Sequence, residues 1–215
     1  MRNILKILML VCCLPVLGQE VYNEALAKEL EAMLEKDSKH RREVIALIDE
    51  LGNDDPKVRT KWDVINVIDS LHTIRVNEIL DEHGWLGVDV VGSKGNVALF
   101  LIIQHAKLDV QVRRLPMIRQ AVKDGKARSE NLAMLEDRVA MKTGKKQIYG
   151  SQLKTDNETG ALYLFPMIEP EKVNERRASV GLGTIEEYIA YWDLKWDVEA
   201  HKKRVAAFEE EKNGG

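Results

Sequence analysis

The chain has 215 residues, of which 45% are hydrophobic and 31% charged, with 32 basic against 35 acidic side chains and two cysteines. That composition suits a globular domain long enough to bury a sizeable core. A net charge of −3 with no basic tract excludes nucleic acid as the expected partner.

Arg2 and Lys6 stand at the start of an apolar run, Ile4 to Val16, that closes on Val16-Leu17-Gly18. This pattern predicts a secretory signal over residues 1–18, cleaved after Gly18, and hence a secreted or periplasmic protein. The run is too short for a lasting membrane anchor, which needs about 20 apolar residues, so no transmembrane segment is expected after cleavage. A lipoprotein signal at Cys12 or Cys13 fits less well, because Val11 is a poor residue before the modified cysteine and the chain stays apolar after Cys13. Cleavage would remove both cysteines and leave 197 residues with a net charge of −5. The mature chain would then have no disulfide, thiol nucleophile or thiolate-metal chemistry.

From Glu20 to Lys36, and again from Val44 to Leu51, apolar residues recur at helical spacing, as two helices or one long bent one. Asn53-Asp54-Asp55-Pro56 turns the chain and starts a helix over about Val58 to Glu82. On it, Ile65, Ile68, Val76 and Ile79 share a sector with Asp69 and His72, so two ionisable groups point at the core. Gly92-Ser93-Lys94-Gly95 reads as a flexible turn, with an anion cradle as the alternative, before a helix Val97 to Ala106 that is apolar until Gln104 and His105. Asp109 and Ser129 are the expected caps of two further helices, with Pro116 inside the first and Asp137-Arg138 off the apolar stripe of the second.

Two strands, Lys146 to Gln152 and Ala161 to Ile168, follow as a hairpin. A short helix begins at Pro170, Thr184 with Glu187 forms a capping box, and a charged amphipathic helix from Asp193 lies against the domain. The expected fold is therefore mainly α: a single helical domain with a small antiparallel β-hairpin, α+β at the margin. Its parts are N-terminal amphipathic helices over 19–55, a core over 56–192 and a C-terminal charged helix over 193–215.

The chemistry is carried by His, Asp, Tyr, Gln and Arg. His105, in the last turn of a buried helix, is the candidate acid or base, and Asp69 the candidate orienting carboxylate. His72, Gln104, Asp137, Arg138, Tyr149, Gln152, Arg176 and Arg177 are the candidate ligand-binding groups, with the arginines suited to a carboxylate or phosphate. The five histidines show no metal-ligand spacing and no cofactor motif is present, so neither metal nor cofactor is expected.

Asp69 with the following Gly84-Trp85, then Gln104-His105-Ala106, Asp137-Arg138, Gln147-x-Tyr149-Gly150-Ser151-Gln152, Arg176-Arg177 and Gly181-Leu182 together resemble an uncharacterised family of bacterial domains of unknown function, over about Trp62 to Tyr188. The family pattern tends to have Asn at His72 and Thr at Ser151. It implies a shared polar site without an assigned reaction, and it weakens a catalytic role for His72. Two readings stay open: a hydrolytic or lyase-like enzyme acting on a polar or anionic small molecule, or a non-catalytic ligand-binding or envelope interaction protein with a structural polar network. The oligomeric state is not legible in the sequence.

Overall fold

The computed structural model describes residues 21–156 and 159–213, so the expected signal segment lies outside the described residues. The chain runs α1 (Glu24–Leu51), α2 (Pro56–His83), α3 (Val88–His105), α4 (Leu108–Lys123) and α5 (Ser129–Lys142). It continues through β1 (Leu153–Thr155), β2 (Leu162–Leu164), a 3-10 turn (Pro170–Lys172), α6 (Val173–Ser179), α7 (Ile185–Ala190) and α8 (Val198–Asn213). The fold is mainly α with a small antiparallel hairpin, as the periodicity predicts. Among the described residues, no helix is long and apolar enough to cross a membrane.

α1 is one helix because nothing between Lys36 and Val44 breaks it: the stretch holds neither Gly nor Pro. Asn23 caps its start by accepting the Leu26 N–H at 3.0 Å. It is a core element, since Leu26 and Leu30 join Val76, Ile79, Leu99 and Ile103 in the main apolar cluster. α2 begins with Asp55 as cap and Pro56 at the first position, and buries Val58, Ile65, Ile68, His72, Val76, Ile79 and Leu80.

α3 is the central helix, and nearly every residue from Val97 to Gln104 is shielded. Each fully buried Leu or Ile contributes about 1.5–3 kcal/mol. α3 starts earlier than the spacing predicts. Val88 to Val91 already form a turn, and Gly92 (φ 70°) kinks the chain before the helix resumes. The segment Gly92 to Asn96 is thus a packed kink and not a flexible turn. A Cβ on Gly95 would sit 2.9 Å from that of Val91, and Asn96 donates to the carbonyls of Leu86 and Lys126, both at 2.8 Å.

The two expected caps also differ. Lys107 and Arg128 occupy the cap positions, with Asp109 and Ser129 falling inside the first turns of α4 and α5. Pro116 is accommodated within α4. The Thr184–Glu187 capping box of α7 is present.

The hairpin is shorter than expected and its first strand starts later. Leu153, Lys154 and Thr155 pair with Leu164, Tyr163 and Leu162, while residues 147–152 form a loop joined to the second strand region by a Gln147–Met167 bridge and by bonds of Gln147 and Gln152 to Phe165. The reason lies on α5, where Asp137 is fully buried and not off the stripe. Its carboxylate takes the N–H groups that a strand ladder would have used. Around this loop a second apolar cluster forms from Leu164, Met167, Val173, Ile185 and Ile189. α8 closes over it, with Phe208 edge-on to Phe165 at 5.4 Å and Lys146 paired with Glu209.

Candidate functional site

α1 lies along α3 and crosses its last turn, where the helix has unpaired carbonyls and a negative dipole end. His105 is the final residue of α3, and its Nδ1 lies 3.1 Å from Oδ1 of Asp37. The same Asp37 oxygen accepts Arg41 Nε at 3.0 Å, one turn along α1. Arg41 Nη2 then reaches across to α2 and donates to both oxygens of Asp69, at 2.8 and 2.7 Å. Burial by itself would raise the Asp37 pKa, but the hydrogen bond from His105 and the nearby positive charge of Arg41 hold it below the usual carboxylate value.

The carboxylate hydrogen-bonded to the His105 ring is thus Asp37, while Asp69 bonds Arg41. The reason is geometric: Asp37 on α1 comes to hydrogen-bond distance of the ring, whereas the Asp69 carboxylate on α2 is turned to Arg41. His72 lies buried on the adjoining face of α2, with Nδ1 lacking a hydrogen bond. Burial, then the charge of Lys36, lowers its pKa. Asp69 and His72 share a helix face but no hydrogen bond joins them.

A cleft of about 370 Å³ opens beside this cluster, between α2 and the α3–α4 junction. Asp69, Ser70, Thr73, His105, Lys107 and Asp109 are among its lining residues. Since Nδ1 of His105 is engaged by Asp37, Nε2 is the ring nitrogen left for a bound molecule. Asp37, Asp69 and His105 could each offer one ligand atom to a metal, the three lying within 4.8 Å of one another. Sequence spacing does not show this grouping, because the residues come from three helices. The guanidinium of Arg41 already bonds both carboxylates and supplies the positive charge there.

Gln104 precedes His105, and its carbonyl accepts Gln111 Nε2 at 2.8 Å and Arg138 Nη1 at 3.2 Å. Both donors thereby satisfy the end of α3. The Gln104 Oε1 and Arg138 Nε atoms are buried without a partner. No carboxylate pairs with Arg138 among the described residues. Burial, and then the like charge of Arg41, depress its pKa, and Lys142 nearby is lowered by burial and by Arg138. An excess of positive charge thus sits behind His105.

The remaining candidates belong to a different structure. Asp137 accepts the backbone N–H groups of Ile148 (2.6 Å), Tyr149 (3.0 Å) and Ser151 (2.9 Å). Burial raises its pKa while those donors pull the other way. Gln147 bonds the backbone of Gln152 in both directions, and Gln152 Nε2 turns back to Ser151. Arg176 caps the carbonyls of Ile148 and Ile168, and Arg177 those of Gly183 and Tyr149 while lying over the Tyr188 ring. Through these bonds to backbone carbonyls Arg176 and Arg177 hold the loop in place, and burial raises the Tyr149 pKa.

The structure thus brings Asp69, His72, Gln104, His105 and Arg138 into one neighbourhood and places Asp137, Tyr149, Gln152, Arg176 and Arg177 in a scaffold beside it. Sequence reasoning missed Asp37 and Arg41. A signal existed: Leu30, Asp37 and Val44 share the buried face of α1 with half-buried Arg41 beside them, so a carboxylate and a guanidinium interrupt an apolar stripe.

No curated protein and no solved structure matches the chain. A family model described as a family of unknown function (DUF6624) matches residues 24–200, from the first residue of α1 into α8, and so takes in Asp37 and Arg41 with the rest of the cluster. The chain belongs to that family.

Proposed function

We propose that this is an exported enzyme of general acid–base type that acts, by hydrolysis or elimination, on an anionic small molecule bound in the α2–α4 cleft. The observation that carries the reading is the Asp37–His105 contact on the cleft wall. A buried carboxylate on Nδ1 holds the ring in one tautomer and orientation. Nε2 of His105 then takes a proton from water or from the substrate carbon and returns it to the leaving group. Lys107, which lines the same cleft, supports an anionic substrate by offering it a positive charge beside His105.

The test is a turnover screen with chromogenic carboxylate and phosphate esters, run on wild type and on His105→Gln. Turnover in wild type that falls about 100-fold or more in the variant supports the reading. A second reading, binding without catalysis, is favoured by Arg41 neutralising both acids. In that case acetate or phosphate binds, no compound turns over, and His105→Gln leaves affinity unchanged. Export has its own check: the N-terminal residue of protein recovered from the native cell, with Gln19 expected and Met1 contradicting it.

A further inference from the structure

The outward face of α2 carries an exposed apolar stripe. Val64, Val67, Leu71 and Ile74 stand 42%, 61%, 58% and 59% exposed, although they are large apolar residues on a helix whose opposite face already supplies the core. Their spacing is 3, 4, 3, the seam of a coiled coil. The same heptad register extends outward in both directions. Lys57 and Thr60 precede the apolar four, and Glu78 and Asp81 follow them; all four are exposed. The stripe spans about 36 Å of helix. A run of this kind on a monomer marks an interaction surface.

We infer that α2 pairs antiparallel with α2 of a second copy of this chain about a two-fold axis near Asp69. The charge pattern selects both the occupant and its direction. In the antiparallel register, Val64 meets Ile74 of the second copy and Val67 meets Leu71, giving four apolar layers. The next layers outward pair Thr60 with Glu78 and Lys57 with Asp81, so opposite charges close each end of the seam. A parallel pairing would instead set Lys57 on Lys57 and Asp81 on Asp81. The stripe is thus complementary to itself, as a two-fold interface requires. Asp81 also bonds Arg114 but remains 68% exposed, free to face a lysine. Ile74 belongs to both the stripe and the lining of the α2–α4 cleft, so the second helix would run along the rim of that cleft.

Sedimentation equilibrium of the full chain over a wide concentration range is expected to show a species of twice 24.5 kDa. L71E, with helix content unchanged by circular dichroism, should raise the dissociation constant more than about a hundredfold, since each dimer would bury two carboxylates. Register is read by cross-linking in a Cys12→Ser, Cys13→Ser background. V67C mixed with L71C should form disulfide faster than either variant alone. A monomer at every concentration, a dimer that survives L71E, or cross-linking that is equal in mixed and unmixed samples would overturn the proposal. So would binding of the stripe to anionic phospholipid vesicles by a chain that stays monomeric.

Discussion

Asp37 of α1 and His105 of α3 meet 3.1 Å apart although 68 residues separate them in the chain. The contact joins a buried carboxylate, itself held by Arg41, to a ring at the negative end of a helix dipole.

Breaking that contact should cost stability in a pH-dependent way. Because the folded-state pKa of Asp37 lies below its ordinary 3.8, its contribution is present above that value and is lost as pH falls through the lower, folded value. Asp37→Asn is expected to lose about 1–3 kcal/mol at neutral pH. Urea unfolding at several pH values should show the gap between variant and wild type closing in acid. A gap that stays constant would separate the stability of this region from the charge on Asp37.

His201 predicts a second pH dependence at the other end of the molecule. Its Nε2 accepts the Met167 N–H at 3.3 Å, which needs a neutral ring, and burial with the charge of Arg204 pushes the pKa down from 6.5 to about 4. The unfolded chain takes up the proton first, so stability is full above pH 6.5 and is lost as pH falls from there to about 4. The accumulated loss is about 3 kcal/mol. Trp196, whose ring centroid is 5.2 Å from that of His201, gives a fluorescence readout of α8 release. In His201→Gln the slope between those pH values should flatten.

Asp137→Ala should be among the most damaging single changes. It would leave the N–H groups of Ile148, Tyr149 and Ser151 without their acceptor, at about 1–3 kcal/mol each. The expected result is a loss of 3 kcal/mol or more (about) by thermal or urea unfolding. Asp137→Asn, which keeps one acceptor oxygen, should cost less. Equal losses would mean that the charge, and not the acceptors, organises the loop.

Two glycines separate strain from crowding. Gly144 has φ 67° with open space beyond its missing Cβ, whereas Gly150 has φ 71° and a Cβ there would lie 2.9 Å from Ile185 Cδ1 and 3.0 Å from Met167 Cε. Gly144→Ala should therefore cost about 1 kcal/mol, from backbone strain alone. Gly150→Ala should cost about 2–4 kcal/mol, adding the overpacking of the second cluster. Melting temperatures of the two variants would rank them, and an equal shift would contradict the packing argument.

The burial of Asp137 shows where reading from the chain alone stopped. Its neighbours at helical spacing, Leu132, Leu135 and Val139, define a stripe that leaves Asp137 outside it, and a carboxylate is expected in water. Only the loop 147–152 folding back over α5 makes that face an interior one. The same event removes the strand that alternation suggested there, because the N–H groups of Ile148, Tyr149 and Ser151 turn to one carboxylate. Arg176 and Arg177, read as anion-binding forks, find carbonyls instead for a related reason: the loop and the segment after it present uncapped C=O groups within reach.

What the sequence by itself determined is local. The start of α2 at Asp55-Pro56, the capping box of Thr184 and Glu187, the buried stripe of α2 and the mainly α character all follow from chemistry within one or two helical turns. His105 as the polar end of an apolar helix was equally readable. Its partner was not. Whether Asp37 or Asp69 reaches that ring depends on how α1 and α2 lie against α3, which is set by the packing of Leu26, Leu30, Val76 and Ile79 with Leu99 and Ile103. Helix periodicity tells which face is buried, and only the tertiary structure decides which buried faces meet.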